Sequence, residues 1–172
     1  MITLEDMYRW LNRFDNKDTY LSESVNLLIA QADAALHENK NSEAWLLIDR
    51  VLCICDNYAG HHKEKAEARV KCARIVYHTG NLIEALKLLE EAKGRYYSDH
   101  HNCGVVLWML GYISWQIPSK HDDAIGLWMR SIRRFELSAK NKSSDKNAFM
   151  WYHDYCQEMK KSLQEAIAND GV

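Results

Sequence analysis

Residues that bend or break the backbone are scarce in this chain of 172 residues, which contains one proline and seven glycines. That supply leaves little material for the many turns of a β-sandwich or for a disordered linker. The sequence also lacks any run of about 18 apolar residues, the length that a membrane-spanning helix requires. We therefore expect an all-α protein that does not cross a bilayer.

Neither sign of charge dominates, since 22 lysines and arginines stand against 24 aspartates and glutamates, for a net charge of −2. This balance gives no general attraction to nucleic acid or to anionic membranes, so neither is an expected partner. The first residues lack the basic and apolar regions of a secretory signal, and the five cysteines have no disulfide-framework spacing. These features predict a cytoplasmic protein with reduced thiols.

What the chain does contain is a recurring pattern, in which an acidic residue and an alanine open a run of large apolar residues. The three alanines are separated by 41 and then 39 residues, and they are Ala44, Ala85 and Ala124. Five residues before each alanine lies a turn former or helix breaker: Asn39, Gly80 and Ser119. A fixed period in this range is typical of stacked repeats, in which no single unit buries its own apolar face.

The helical spacing of apolar residues predicts about eight helices, most of them paired into hairpins. Asn81 and Glu84 form a predicted capping box at the start of one helix, and a polar loop is expected at residues 140–146. The predicted segments of one domain, residues 1–172, are an N-terminal helix (1–17), three hairpins (20–58, 61–97 and 99–138) and a C-terminal capping helix (146–169).

The hairpins resemble tetratricopeptide repeats of the longer variety, with about 40 residues per unit. Leu110-Gly111 is similar to the leucine–glycine pair of the family's first helix, and Ala124 to the small residue that opens its second helix. The middle unit keeps the turn glycine and two small residues: Gly80, Ala85 and Ala92. The family's closing proline is absent, and the third turn is one residue longer. The resemblance implies a right-handed α-solenoid of about three hairpins.

The resemblance also implies a binding role, because the first helix of each hairpin lines a concave groove in this family. Carried over residue by residue, the expected partner-binding residues are Lys71, Arg74, Tyr77, His78, Trp108, Tyr112 and Trp115. The chain would then be a non-enzymatic adaptor or regulatory subunit that holds a peptide or helix of another protein. Arg74 and Lys71 would select an acidic neighbour. In an alternative interpretation, Trp108 and Trp115 pack between hairpins as core.

Two further hypotheses stay open. One is self-assembly, in which aromatic faces of the first and last helices stack one array on another, through Tyr8, Trp10, Trp151 and Tyr155. The other is a small-ligand or metal-dependent sensor, favoured by the pairs His61-His62 and His100-His101. Cys53 and Cys55 lie two apart on a helix, so they point to different faces and cannot chelate one ion together. We expect no catalytic residues, no metal and no cofactor.

Overall fold

The computed structural model describes residues 1–58 and 60–170, and within these ranges every regular element is helical. This confirms the all-α prediction. The helices are α1 (Leu4–Trp10), α2 (Glu23–His37), α3 (Asn41–Tyr58), α4 (His62–His78), α5 (Leu82–Arg95), α6 (His100–Trp115), α7 (His121–Asn141) and α8 (Lys146–Asp170).

The helices belong to two compact units, which are treated separately below. The central unit is Lys17–Tyr96 and contains α2 to α5, in which α2 packs on α3, α3 on α4, and α4 on α5. The terminal unit is Met1–Asn16 together with Tyr97–Val172, in which α6 packs on α1 and α7, and α7 packs on α8. The predicted repeat boundaries and the single domain stay predictions.

Two tight turns of the central unit use residues that tolerate a positive φ. Asn39, between α2 and α3, has φ 59°, and Gly80, between α4 and α5, has φ 89°. Glycine and asparagine adopt this left-handed conformation at the lowest cost, which is why they end helices so often. After the second turn, the Asn81 side chain accepts a hydrogen bond of 3.1 Å from the Glu84 backbone N–H, which is the N-cap half of the predicted capping box.

The connection between α6 and α7 is longer than these two turns. It runs from Gln116 to Lys120 and includes one turn of 3₁₀ helix at Pro118–Lys120. Proline fits the first turn of a helix because its missing N–H would lack an intrahelical partner there. The connection is five residues long, two more than each of the other two turns, whereas the sequence predicts one extra residue.

The N-terminal helix is shorter than the predicted segment 1–17, because α1 ends at Trp10. Asn12 and Phe14 both have positive φ, at 58° and 70°, which a helix cannot accommodate. The Asn12 backbone N–H donates to Asn102 Oδ1 of α6 at 2.8 Å, and Asn102 Nδ2 donates to Asn12 Oδ1 at 3.1 Å. A tertiary hydrogen-bond pair thus replaces the helical bonds that periodicity alone predicts.

The predicted loop at residues 140–146 is also shorter, since α7 continues to Asn141 and α8 begins at Lys146. Ser138, in the last turns of α7, is buried. The Asp145 side chain accepts a hydrogen bond of 3.1 Å from the Ala148 N–H and so caps α8. Packing of α7 against α8 stabilises turns whose polar sequence predicts no helix.

Small residues lie where helices approach most closely. The predicted structural positions Ala44, Ala85, Ala92 and Ala124 have no exposed surface. The space beside Gly111 of α6 is smaller still, because a Cβ built there lies 2.6 Å from both Cδ1 and Nε1 of the Trp128 indole on α7. Seven residues earlier, a Cβ on Gly104 lies 2.9 Å from the Phe135 ring. The α6–α7 contact therefore requires glycine on α6.

This geometry predicts opposite effects of alanine at two helical glycines. Gly111→Ala is expected to lower the free energy of unfolding by about 1–2 kcal/mol, because overpacking against a buried indole outweighs the gain in helix propensity. Gly126→Ala on α7 is the matched control, since its Cβ has no atom within 4 Å. Alanine there is expected to raise stability by up to about 1 kcal/mol. Urea unfolding followed by circular dichroism measures both, and a gain at Gly111 would contradict the close crossing.

Candidate binding surfaces

The two cations predicted to select an acidic partner already have carboxylate partners inside the central unit. Lys71 Nζ lies 2.9 Å from Glu67 Oε1 and 3.0 Å from Asn26 Oδ1, and its side chain is 17% exposed. Arg74 Nη1 lies 3.6 Å from Asp33 Oδ1. The charge on this face of α4 is therefore largely balanced internally, which leaves less of it for a partner.

Glu67 explains why Lys71 is held in this way. Its carboxylate is completely buried. It accepts hydrogen bonds from the Thr19 hydroxyl at 2.5 Å and from the Tyr20 N–H at 2.7 Å. A buried carboxylate needs both a counter-ion and hydrogen-bond donors, and Lys71 supplies the former. This network attaches the segment before α2 to α4, so its first role is structural.

The other two predicted residues of α4 lie in its last turn. Tyr77 is half-buried and His78 is exposed. Their rings meet edge to face, with centroids 5.1 Å apart. They are the part of the predicted α4 surface that remains accessible in the central unit.

The three predicted aromatic residues of α6 do not share one environment. Trp108 has no exposed surface, and its Nε1–H donates to the Ile2 carbonyl at 3.0 Å. Tyr112 and Trp115 are half-buried, and Trp115 stacks on His121 at 4.2 Å. The assignment of Trp108 to a partner surface is therefore corrected: it is a core residue, because α6 is covered by both α1 and α7.

The aromatic residues behind the self-assembly hypothesis also contact one another. The Trp10 ring centroid lies 4.3 Å from Tyr155 and 5.0 Å from Trp151, and Trp10 itself is buried. Tyr8 is half-buried. The hypothesis places the rings of α1 and α8 on two separate faces, whereas the structure places Trp10, Trp151 and Tyr155 in one cluster within the terminal unit. These rings therefore pack against one another within the terminal unit, which leaves less aromatic surface for contact with a second copy.

Both nitrogens of His101 are occupied in this cluster. Nε2 lies 2.6 Å from the Trp10 carbonyl oxygen, and Nδ1 lies 2.8 Å from the Tyr152 hydroxyl. Because a carbonyl only accepts, the ring proton lies on Nε2 and the tyrosine donates to Nδ1. Burial lowers the pKa of His101, which keeps the ring neutral. A histidine held in this way has no lone pair available for a metal.

The cysteines are free thiols, and most of them are buried. Burial raises the pKa of Cys72 to about 12 and that of Cys156 to about 11, so neither thiol is activated as a nucleophile. Cys53 is exposed and Cys55 is buried, as expected for different helix faces. Within residues 1–58 and 60–170, no group of three or more histidine, cysteine, aspartate or glutamate side chains is placed to hold a metal ion.

A different surface of the terminal unit carries unbalanced positive charge. It is a cavity of about 560 Å³, here named the arginine pocket, lined by Tyr97, Ser98, His100, Arg130, Arg133, Arg134 and Leu137. Arg130 and Arg133 are exposed, Arg134 is half-buried and Tyr97 is 75% exposed.

Two elements build the arginine pocket. Arg130, Arg133, Arg134 and Leu137 recur at i, i+3, i+4 and i+7, so they form one stripe along α7. Arg134 Nη1 donates to the Tyr97 carbonyl at 2.8 Å and to His100 Nδ1 at 2.9 Å. Its guanidinium also lies 5.3 Å from the centroid of the Tyr97 ring. Arg134 therefore holds the start of α6 against α7.

The three arginines have no carboxylate partner in the part of the chain that the structure describes, as the nearest acids in sequence are engaged elsewhere. Glu136 pairs with Lys160 of α8 at 2.8 Å. Asp99 caps α6 by accepting from the Asn102 backbone N–H at 3.0 Å and from Asn102 Nδ2 at 2.9 Å. Positive charge without a partner on an exposed surface is suited to an anionic ligand.

The sequence reasoning missed this pocket, because the family resemblance assigns binding to the first helix of each hairpin. Arg130, Arg133 and Arg134 lie on α7, the second helix. Their spacing was a signal that could be read from the sequence. The contacts of Tyr97 and His100 with Arg134 could not be read from the sequence, since both residues lie more than 30 positions before Arg134.

Comparisons with known proteins found no match: no family model, no curated protein and no solved structure is similar to this chain. The resemblance to tetratricopeptide repeats therefore remains a prediction. In residues 1–58 and 60–170, no helix combines the length and the apolar character needed to cross a membrane.

Proposed function

We propose that this chain is a non-enzymatic protein-interaction module that holds an acidic segment of a partner protein in the arginine pocket. The observation that carries this proposal is a tyrosine, 75% exposed, beside three arginines that have no carboxylate partner among the described residues. An adaptor or regulatory subunit would use such a site to capture another protein, and its own fold would supply the rigid support.

Arginine and tyrosine are well suited to this role. Both are enriched among the residues that dominate binding energy at protein interfaces. Arginine presents a planar fork of donors that matches a carboxylate, and Arg134 is already oriented by Tyr97 and His100. Less side-chain entropy is therefore lost when an anion binds.

The predicted helical repeat gives this surface its framework. We propose that the chain is a tetratricopeptide-like protein, a right-handed α-solenoid of about three hairpins. Support comes from the successive pairs α2–α3, α4–α5 and α6–α7, each with a fully buried alanine near the start of its second helix: Ala44, Ala85 and Ala124. A cytoplasmic location belongs to the same proposal.

The acid-binding role moves from α4 to α7 in this proposal. Lys71 and Arg74 are paired with Glu67 and Asp33, so binding a partner there would require breaking existing ion pairs. Binding at Arg130 and Arg133 breaks no ion pair among the described residues. Within the central unit, Tyr77 and His78 remain accessible to a partner, and within the terminal unit Tyr112 and Trp115 are half-buried.

Selection from a library of short random peptides tests the function. We expect the selected peptides to be enriched in aspartate and glutamate, since three arginines line the pocket. Binding of these peptides should weaken at least about 30-fold in the double variant Arg130→Glu/Arg133→Glu, because attraction becomes repulsion.

The matched control is Arg50→Glu/Lys87→Glu, which makes the same change of net charge at two exposed positions of the central unit. It should bind the selected peptides as the unmodified chain does. Peptides without acidic enrichment, or equal loss in both double variants, would argue against the arginine pocket as the binding site.

A further inference from the structure

We propose that the arginine pocket recognises a phosphate monoester, so that phosphorylation of the partner segment switches its capture on. This inference rests on the proposed function and names the chemistry of its ligand. Three features of the pocket support it: its charge, the arrangement of its donors and its volume.

The charge of the pocket exceeds what one carboxylate neutralises. Three guanidinium groups line it, and among residues 1–58 and 60–170 no acidic side chain does. A glutamate brings a single negative charge and two acceptor oxygens, whereas a phosphate monoester brings a charge of about −1.5 to −2 and three acceptor oxygens. Bound phosphate would leave less unbalanced positive charge when water is excluded.

The donors are arranged for a ligand that accepts several hydrogen bonds. Arg134 uses Nη1 for the Tyr97 carbonyl and His100 Nδ1, which leaves its other N–H groups for the pocket. Because arginine has no acceptor, His100 Nδ1 must accept, and the neutral ring then carries its proton on Nε2 as one more donor. Exposed Arg130 and Arg133 can close over the ligand from the same helix face.

The pocket also has room for more than the phosphate group. Its volume of about 560 Å³ falls within the range of about 300–1,000 Å³ that is usual for ligand sites. The Tyr97 ring and Leu137 add apolar surface beside the charges, which suits the side chains that flank a phosphorylated residue. The chain as a whole has a net charge of −2, which disfavours the extended polyanions of nucleic acid and membrane surfaces.

The experiment uses the full chain and degenerate peptide pools that differ only at one fixed central residue. Pools with phosphoserine, phosphothreonine or phosphotyrosine are compared with pools that carry serine, threonine, tyrosine or glutamate, by fluorescence anisotropy. We expect at least one phosphorylated pool to bind about tenfold or more tightly than both its unphosphorylated counterpart and the glutamate pool. Inorganic phosphate should compete, and acetate at the same ionic strength should compete less.

Variants test whether the preference for phosphorylated pools comes from the arginine pocket. Arg130→Glu/Arg133→Glu should abolish the preference, and Arg50→Glu/Lys87→Glu should keep it. Arg134→Lys retains the charge but loses the planar fork, so it should lose most of the preference for phosphate. Circular dichroism checks that each variant folds, and the effect of inorganic phosphate on the unmodified chain's melting temperature gives a measurement that needs no variant.

The outcomes separate this inference from the proposed function. Equal binding of the glutamate and phosphorylated pools, both lost in Arg130→Glu/Arg133→Glu, overturns phosphate recognition and leaves the interaction module intact. No binding of any pool overturns both. Tighter binding of single-stranded RNA or of phosphoinositide vesicles through the same arginines overturns the peptide as ligand.

Discussion

Replacing Trp108 with alanine is expected to lower the free energy of unfolding by about 3–5 kcal/mol. The indole has no exposed surface, donates to the Ile2 carbonyl at 3.0 Å and lies 5.5 Å from the Trp128 ring. Its removal would leave a cavity between α6 and its neighbours and an unsatisfied carbonyl in the core. Urea unfolding followed by circular dichroism measures the loss.

Trp115→Ala is the matched control, on the same helix and with the same chemical change. Trp115 is half-buried and stacks on His121, so we expect a cost of about 1–2 kcal/mol. The ratio of the two losses is the informative quantity. Equal losses of stability for Trp108→Ala and Trp115→Ala would contradict a fully buried Trp108 beside a half-buried Trp115.

Replacing Glu67 with alanine is expected to destabilise the chain by about 3–5 kcal/mol, because it breaks a buried ion pair and leaves its partners unsatisfied. Lys71, the Thr19 hydroxyl and the Tyr20 N–H all bond this one carboxylate. Glu67→Gln keeps the size and one acceptor oxygen, so it should cost less than alanine. The same unfolding measurement applies.

The control for Glu67 is the exposed ion pair of α5. Lys87 Nζ lies 3.8 Å from Glu84 Oε1, and its side chain is 64% exposed. Lys87→Ala should change the stability by less than about 0.5 kcal/mol, because water screens such pairs. A Glu67→Ala variant as stable as the Lys87→Ala variant would show that the carboxylate is solvated in solution and does not hold Lys71 in place.

Together, these substitutions separate structural roles from binding roles. Trp108, Glu67 and Gly111 hold helices together, so their replacement should change stability first. Arg130 and Arg133 are exposed, and their replacement should change binding with little effect on stability. This separation allows loss of a partner to be attributed to the pocket, provided that the variants unfold at the same urea concentration.

Much of the fold could be predicted because its signals are local. Apolar spacing revealed the helices, and Asn39 and Gly80 marked the turns, since few other residues adopt a positive φ. Predictions were wrong where tertiary contacts compete with periodicity. Asn102 of α6 binds the backbone of Asn12 and ends α1 early, and packing against α8 extends α7 to Asn141.

The candidate site was much less predictable. From the sequence, Trp108, Lys71 and Arg74 were reasonable binding residues, because helical spacing gives the face on which a side chain lies. It does not give what covers that face. Trp108 is covered by the N-terminal segment, which returns from more than 100 residues away, and Lys71 is bound by Glu67 and Asn26.

By itself, the sequence determined that this protein is helical, where most of its helices turn, and which small residues lie at close crossings. These properties depend on backbone conformation and on periodicity within a few turns. Only the tertiary structure decided which aromatic side chains are core, which cations are already paired, and that Tyr97 and His100 join Arg130, Arg133 and Arg134 in one pocket. The physical reason is that burial and ion pairing depend on neighbours that are distant along the chain.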